Sequence, residues 1–256
     1  VGPDNFFTAS GLNPGQAYYF HVFAFNINNC GGTPSPLYRT PALINSVTTA
    51  TSTNCPGRVT LYWAGTGAPT NYDAPPAQRS SNFNSTRNWS TSNTSYQHAN
   101  AFPTRCNDVV IYISTGDVTI TMNQDNEFYN LTFTVTGNGN AALLSSNQND
   151  VTVYGNAVID VVGGNSNTTI GIGEANATSA SRFDFKANVN IGTTTSVNGV
   201  STFRGNQNSR IIVRGDLTLG RSFSLATGSN TVINNTLPRT LEMDGTGLQQ
   251  ITWNNN

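Results

Sequence analysis

The feature that most constrains this chain is a recurring unit of two short apolar-alternating segments joined at a small residue. Val151-Thr152-Val153-Tyr154-Gly155-Asn156-Ala157-Val158-Ile159 is one copy. Phe183-Asp184-Phe185-Lys186-Ala187-Asn188-Val189-Asn190-Ile191 is a second, and Ile211-Ile212-Val213-Arg214-Gly215-Asp216-Leu217-Thr218-Leu219 is a third. Leu241-Glu242-Met243-Asp244-Gly245-Thr246 opens a weaker fourth. Residues 130–144 read as a degenerate earlier copy, with Leu131, Phe133 and Val135 ahead of Gly137-Asn138. The small residues Gly155, Ala187, Gly215 and Gly245 recur about every thirty residues, inside the window of solenoid repeats.

Apolar residues at i and i+2 point the same way, so each half-unit reads as a strand with one buried face. The small residue followed by Asn156, Asn188 or Asp216 permits a tight bend. Strand, bend and strand, wound once per repeat, stack coils in parallel about 4.8 Å apart. Stacked Asn side chains can bond along such an axis. The expected fold is all-β, with a right-handed parallel β-helix over residues 108–256 that continues beyond them. A large antiparallel β-sandwich or jelly roll is the alternative. Asn-Gly pairs at 138–139 and 198–199 suit the two-residue hairpins it would use.

Composition supports strands over helices. Asn, Thr and Ser make up roughly a third of the 256 residues, and they rank low in helix propensity. Only 10% of residues are charged and the formal net charge is −1. That removes the electrostatic case for nucleic acid or an anionic membrane surface. No apolar run approaches the ~18 residues of a membrane-spanning helix, so no membrane insertion is expected.

The first fifty residues differ from the rest. A turn at Gly11-Leu12-Asn13-Pro14-Gly15 precedes the aromatic strand Tyr18-Tyr19-Phe20-His21-Val22-Phe23-Ala24-Phe25-Asn26. This pattern resembles the corner and penultimate strand of a fibronectin type III domain. The resemblance implies a tyrosine corner at Tyr18, a loop at residues 29–32 and a final strand from Pro36 to Thr48. Residues 1–49 then form the C-terminal part of such a module. A half-sandwich leaves open edges, so the native polypeptide is expected to extend upstream of Val1.

A second resemblance lies between these regions. Leu61-Tyr62-Trp63-Ala64-Gly65-Thr66-Gly67, Asn88-Trp89-Ser90-Thr91-Ser92, Pro103-Thr104 and Asp108-Val109-Val110-Ile111 look like a pattern in large secreted surface proteins of the Bacteroidota. In those proteins a Trp-Gly-rich stretch opens an Asn/Thr-rich β-helix. The resemblance implies export by the type IX secretion system, fibronectin-like modules and an extracellular or cell-surface location.

Residues 50–107 read as a lead-in strand, a cap over the first coil and a long surface loop, since a solenoid needs its end covered. Trp63 and Trp89 anchor that cap. The competing reading is a glycan-contact loop, with Arg79, Arg87, Trp89 and Tyr96, joined by Tyr72 and Phe83, supplying stacking and hydrogen-bonding groups.

Three cysteines, Cys30, Cys55 and Cys106, allow one internal bridge. Cys55 and Cys106 each precede a β-rich run, and pair if those runs stack in register.

Catalytic patterns are sparse. Glycoside hydrolysis needs two carboxylates facing each other across a groove. Asp108, Asp117, Asp125, Glu127, Asp150, Asp160 and Glu174 show no paired spacing. Asp184, Glu242 and Asp244 alternate with apolar neighbours and so are expected to face outward, with Lys186 beside Asp184 as a surface ion pair. His21 and His98 are the only histidines, and no G-x-S-x-G occurs. Asn123-Gln124-Asp125-Asn126-Glu127 is a loose candidate for a loop calcium, but lacks the spacing of a calcium-binding loop. Sequons at Asn84, Asn88, Asn93, Asn130, Asn167, Asn176 and Asn234 follow from the composition.

The function expected is structural: a stalk or fibre segment of a large extracellular bacterial surface adhesin, with no catalytic residue, metal or cofactor. Its expected partners are other segments of the same polypeptide, surface glycans, other cells or secretion machinery. A polysaccharide-binding or polysaccharide-degrading module, and cargo held in a secretion complex, are the alternatives.

Overall fold

A computed structural model describes residues 17–22, 43–48, 55, 57–163, 167–173, 180–193, 199–204, 209–220 and 240–253. The chain divides into two compact units, Val1–Pro56 and Gly57–Asn256. In the first, β1 (Ala17–Val22) and β2 (Leu43–Thr48) pair antiparallel, from Ala17 opposite Thr48 to Val22 opposite Leu43. The turn at residues 11–15, the loop at residues 29–32 and the Tyr18 side chain lie outside what is described. The fibronectin-like expectation reduces here to an antiparallel strand pair.

The second unit is a parallel β-solenoid. Its lead-in strands are β3 (Val59–Trp63) and β4 (Trp89–Ser90). The first coil runs β5 (Asn107–Ile113), β6 (Val118–Thr121) and β7 (Asn126–Phe128). The second runs β8 (Leu131–Thr136), β9 (Ala141–Ser145) and β10 (Asp150–Val153). The third runs β11 (Ala157–Val162), β12 (Thr169–Gly173) and β13 (Ser181–Phe185). Next come β14 (Val189–Ile191), β15 (Val200–Arg204) and β16 (Ser209–Val213). β17 (Leu217–Leu219), β18 (Thr240–Met243) and β19 (Ile251–Trp253) complete the described strands.

The four coils that begin at β5, β8, β11 and β14 each visit three sheets in turn: an eight-stranded, a four-stranded and a five-stranded one. Among the named strands of this unit, every pairing is parallel except β3 with β4. That overturns the antiparallel sandwich or jelly-roll alternative. Asn138-Gly139 turns a corner from β8 of the eight-stranded sheet to β9 of the four-stranded one and closes no hairpin; Gly137 and Gly139 take the positive φ values of 88° and 78°, and Asn198 lies outside the described residues.

Alternation along each strand turns into columns along the axis. Val109, Leu131, Ala157, Val189 and Leu217 stack in one column of the eight-stranded sheet, and Ile111, Phe133, Ile159, Ile191 and Leu219 in the next. Phe128, Val153, Phe185 and Val213 form a column of the five-stranded sheet. These side chains are buried, and each Val, Leu, Ile or Phe so removed from water contributes about 1.5–3 kcal/mol.

The three clear repeat copies occupy equivalent places. Each spans a strand of the five-stranded sheet, the bend, and the next strand of the eight-stranded sheet. The degenerate earlier copy is out of phase with the reading at residues 130–144. Leu131, Phe133 and Val135 belong to β8, the second half of a unit, and its first half is Asn126–Phe128. Asn126 replaces an apolar residue there, which hid it. The fourth copy also differs: its bend runs on to Gln250, because Gln249 folds back to donate to the carbonyls of Val213 and Gly215 at 3.0 and 2.8 Å.

Residues 64–106 cap the first coil by imitating a coil. β3 pairs in parallel with β5, Asn82 bridges to Thr121 in β6, and the Asn84 amide donates to Asn126 Oδ1 in β7 at 2.7 Å. The chain thus touches all three sheets before β4 returns along β3. Among the described residues no helix is long and apolar enough to cross a membrane.

Candidate functional site

Two features of the solenoid are built from side chains that the bare strand pattern does not require. One is an edge; the other is a face.

The edge is a ladder at the bend between the five- and eight-stranded sheets. Asp108, Asn130, Asn156, Asn188, Asp216 and Gln250 stand one per coil. Asn156 N–H donates to Asn130 Oδ1 at 2.8 Å, Asn188 N–H to Asn156 Oδ1 at 3.3 Å, and Asp216 N–H to Asn188 Oδ1 at 2.9 Å. Gln250 N–H donates to Asp216 Oδ1 at 2.9 Å, and the Asn130 amide donates to Asp108 Oδ1 at 2.8 Å. The expected side-chain-to-side-chain stacking is therefore mostly side chain to backbone. A carboxylate or amide oxygen serves equally, since only an acceptor is needed. Gly155 and Gly215 precede ladder residues because a Cβ there would collide: at Gly155 with Asn130 and Tyr129, at Gly215 with Asn188 Oδ1 and the Ala187 backbone, both 2.5 Å away.

The face is the outer side of the five-stranded sheet, where this charge-poor chain gathers much of its charge. Register sets Asp150, Arg182 and Arg210 in one row and Glu127, Thr152, Asp184, Ile212 and Glu242 in the next. Tyr154, Lys186, Arg214 and Asp244 follow the strands just before the bend. Arg182 pairs with Asp150 at 3.0 Å, and Arg210 with Glu242. Arg214 grips Asp184 with Nε at 2.9 Å and reaches Asp244 with a second nitrogen at 2.6 Å. Lys186 Nζ lies 2.7 Å from Asp184. The Arg105 guanidinium lies 4.0 Å from the centre of the Tyr154 ring.

Asp184 corrects the sequence reading. It faces outward as expected, yet is only 2% exposed, because the Arg214 and Lys186 side chains close over it. Burial pushes its carboxyl up, but hydrogen bonds from Arg214 and then Lys186 outweigh that and hold it below the usual carboxylate range. The bond to Asp184 correspondingly raises Arg214. One pairing was legible: Arg214 and Asp244 hold the same position in successive copies, whereas Asp184 stands opposite Ile212 and meets Arg214 across rows.

The candidate glycan-contact residues are held by contacts within residues 62–98. Trp89 is fully buried, packs edge-on against Trp63 and Phe83, and donates its indole N–H to the Phe83 carbonyl at 2.7 Å. Arg79 binds Asp73 at 2.6 Å and the Ala74 carbonyl at 2.5 Å. Tyr96 donates to the Arg87 carbonyl at 2.8 Å and stacks on His98, while the Arg87 side chain is exposed. Tyr72 is buried beside Tyr62.

Cys55 and Cys106 are both disulfide-bonded, and with three cysteines in the chain that means to each other. In the candidate calcium loop, Asp125 Oδ1 accepts the Asp150 N–H at 2.8 Å and Asn123 N–H donates to Asn84 at 2.8 Å. Among the described residues no three His, Cys, Asp or Glu side chains group as metal ligands.

The fold and its edge define a parallel β-solenoid. No protein-family model, curated protein or solved structure matches the chain.

Proposed function

We propose that the chain is a structural segment, a stalk or fibre element, of a large extracellular bacterial surface protein with an adhesive role. The observation that carries this reading is the axial continuity of the solenoid. Core columns and the ladder from Asp108 to Gln250 bind each coil to the next by the same contacts. Repeats stacked in this way give stability through nearest-neighbour interfaces and suit a role in reach and load. The disulfide at Cys55 and Cys106 suits an oxidising, extracellular setting. The resemblance to secreted Bacteroidota surface proteins, with a fibronectin-like module ahead and type IX export, belongs to this same proposal.

The charged face supports a non-catalytic reading. A general acid needs a carboxyl whose proton affinity is raised. Asp184 is shifted the other way and holds Arg214 and Lys186 in place. Its chemistry is that of a clamp between coils.

Pulling the chain from its two ends in an optical trap tests the role. A load-bearing segment resists to high force and then gives way coil by coil or in one cooperative step. Yielding at the low forces of an ordinary helical bundle would overturn it. Incubation with a panel of polysaccharides addresses the polysaccharide reading, for which release of sugar ends or saturable binding is the mark.

A further inference from the structure

The Asn138-Gly139 corner between β8 and β9 is a place where the chain can attack itself. Asparagine is thermolabile, and most so ahead of glycine, where no Cβ shields the next backbone nitrogen from the side-chain amide. Asn138 and Gly139 are both exposed. A Cβ built on Gly139 would meet nothing within 4 Å, so a ring closed there has room.

What opposes closure comes from the next coil. Thr168, just ahead of β12 and 0% exposed, accepts the Gly139 N–H on its hydroxyl oxygen at 3.1 Å. The same hydroxyl donates to the Gly137 carbonyl at 2.6 Å, and the Thr169 N–H donates to the Asn140 carbonyl at 2.9 Å. Within the corner, the Asn140 amide donates to the carbonyls of Thr136 and Ser114 at 2.6 and 3.0 Å, and its oxygen accepts the Gly116 N–H at 3.0 Å. The backbone on both sides of Asn138 is thus pinned, and the nitrogen that would attack has its proton held.

We propose that Asn138 is a latent self-modification site that Thr168 keeps shut. When the third coil loosens, the Gly139 nitrogen gives up its proton to water and bonds to Asn138 Cγ. The Cγ–Nδ2 bond breaks, and the amide takes a proton from water and leaves as ammonia. A water molecule then opens the cyclic imide at either carbonyl, leaving aspartate or isoaspartate. Isoaspartate lengthens the main chain by a methylene at a corner that sets β9 against β8, and either product adds a negative charge. The change is not reversed by re-stacking, so it marks a coil that has opened. The site rests on this corner alone and stands whether or not the segment serves as a stalk.

Peptide mapping by mass spectrometry after incubation in mildly alkaline buffer tests this, with chromatography separating the isoaspartyl product. The rate in the folded chain is the rate of the free sequence multiplied by the fraction of time the corner is open. The full chain is therefore expected to lose the Asn138 amide about tenfold or more slowly than a synthetic peptide of residues 134–142, a comparison that needs no variant. Thr168→Val keeps the shape and removes the hydroxyl, and is expected to speed the loss about fivefold or more, since hydrogen bonds to one oxygen are at stake. Thr168→Ser keeps the hydroxyl and is expected to stay near the parent. Asn198-Gly199, the other Asn-Gly pair, is followed in the same digest and is expected to react at the parent rate in both variants. A full chain that reacts as fast as the peptide overturns the proposal. So does Thr168→Val at the parent rate, Thr168→Ser matching Thr168→Val, or an equal rise at Asn138 and Asn198, which would assign the protection to global stability.

Discussion

Asn156 sits one coil beyond Asn130, and its backbone N–H donates to the Asn130 Oδ1 at 2.8 Å. The bond joins coils at the bend, alongside the backbone bonds from Gly155 N–H to the Tyr129 carbonyl at 2.7 Å and from Leu131 N–H to the Asn156 carbonyl at 3.0 Å. Asn156→Ala removes the acceptor for Asn188 N–H, and Asn188→Ala the acceptor for Asp216 N–H. Each is expected to cost about 1 kcal/mol in denaturant unfolding. Asn188→Asp keeps the acceptor, as Asp216 does naturally, and is expected to cost less than Asn188→Ala.

Gly215→Val meets the Ala187 backbone and Asn188 Oδ1, each 2.5 Å from the position of an added Cβ. Backbone cannot swing aside as a side chain does. A loss of about 1–3 kcal/mol is expected, the range of overpacking, read from the shift in urea midpoint at unchanged slope.

Asp184 links pH to stability. Its carboxyl is held below the usual range in the folded chain, so its contribution is full above the unfolded-state carboxylate value of about 3.9 and fades as pH falls through the lower folded value. Arg214→Ala removes the stronger partner and leaves a buried carboxylate with Lys186 alone. Unfolding midpoints across the acid range are expected to show the variant losing stability at higher pH than the parent.

Tyr72 acts at the other end of the scale. Burial, then the neighbouring Tyr112 and Tyr62, pushes its phenol up to about 12. A raised value means stability that is complete below the unfolded-state tyrosine value of about 10 and declines as pH climbs toward the folded one. Tyr72→Phe is expected to flatten that alkaline decline, followed by unfolding midpoint against pH together with tyrosinate absorbance.

Cys55 and Cys106 close a loop that contains the whole cap. The chain-entropy estimate for about fifty residues is about 4 kcal/mol. Reduction, or Cys106→Ser, is expected to lower the unfolding temperature and to make residues 64–106 the first site of proteolytic cleavage. Cleavage elsewhere first would argue that the cap holds without the bridge.

The winding of the chain was legible because its cause is local. Alternation at Val151 and Val153, or Phe183 and Phe185, fixes a strand face, and a small residue before Asn or Asp fixes a bend. What escaped depends on neighbours distant in sequence. Asn126 occupies a core column because the Asn84 amide, from the cap, satisfies its oxygen. Asp184 is buried because Arg214 arrives one coil later. Phe83, which the glycan-contact alternative would present to a ligand, is buried because Trp89 and Phe128 pack against it. A single strand carries no mark of any of these.

The ladder residues are separated by 22, 26, 32, 28 and 34 positions, yet they align in one line. In three coils the bend itself keeps the same length: 154–156, 186–188 and 214–216. From Asn156 to Asp216 the variation in length therefore falls in the rest of the coil and leaves the ladder in line. There one edge holds the pitch of the winding while other parts of a coil vary in length, so this architecture can diversify away from the ladder without altering how far each turn advances.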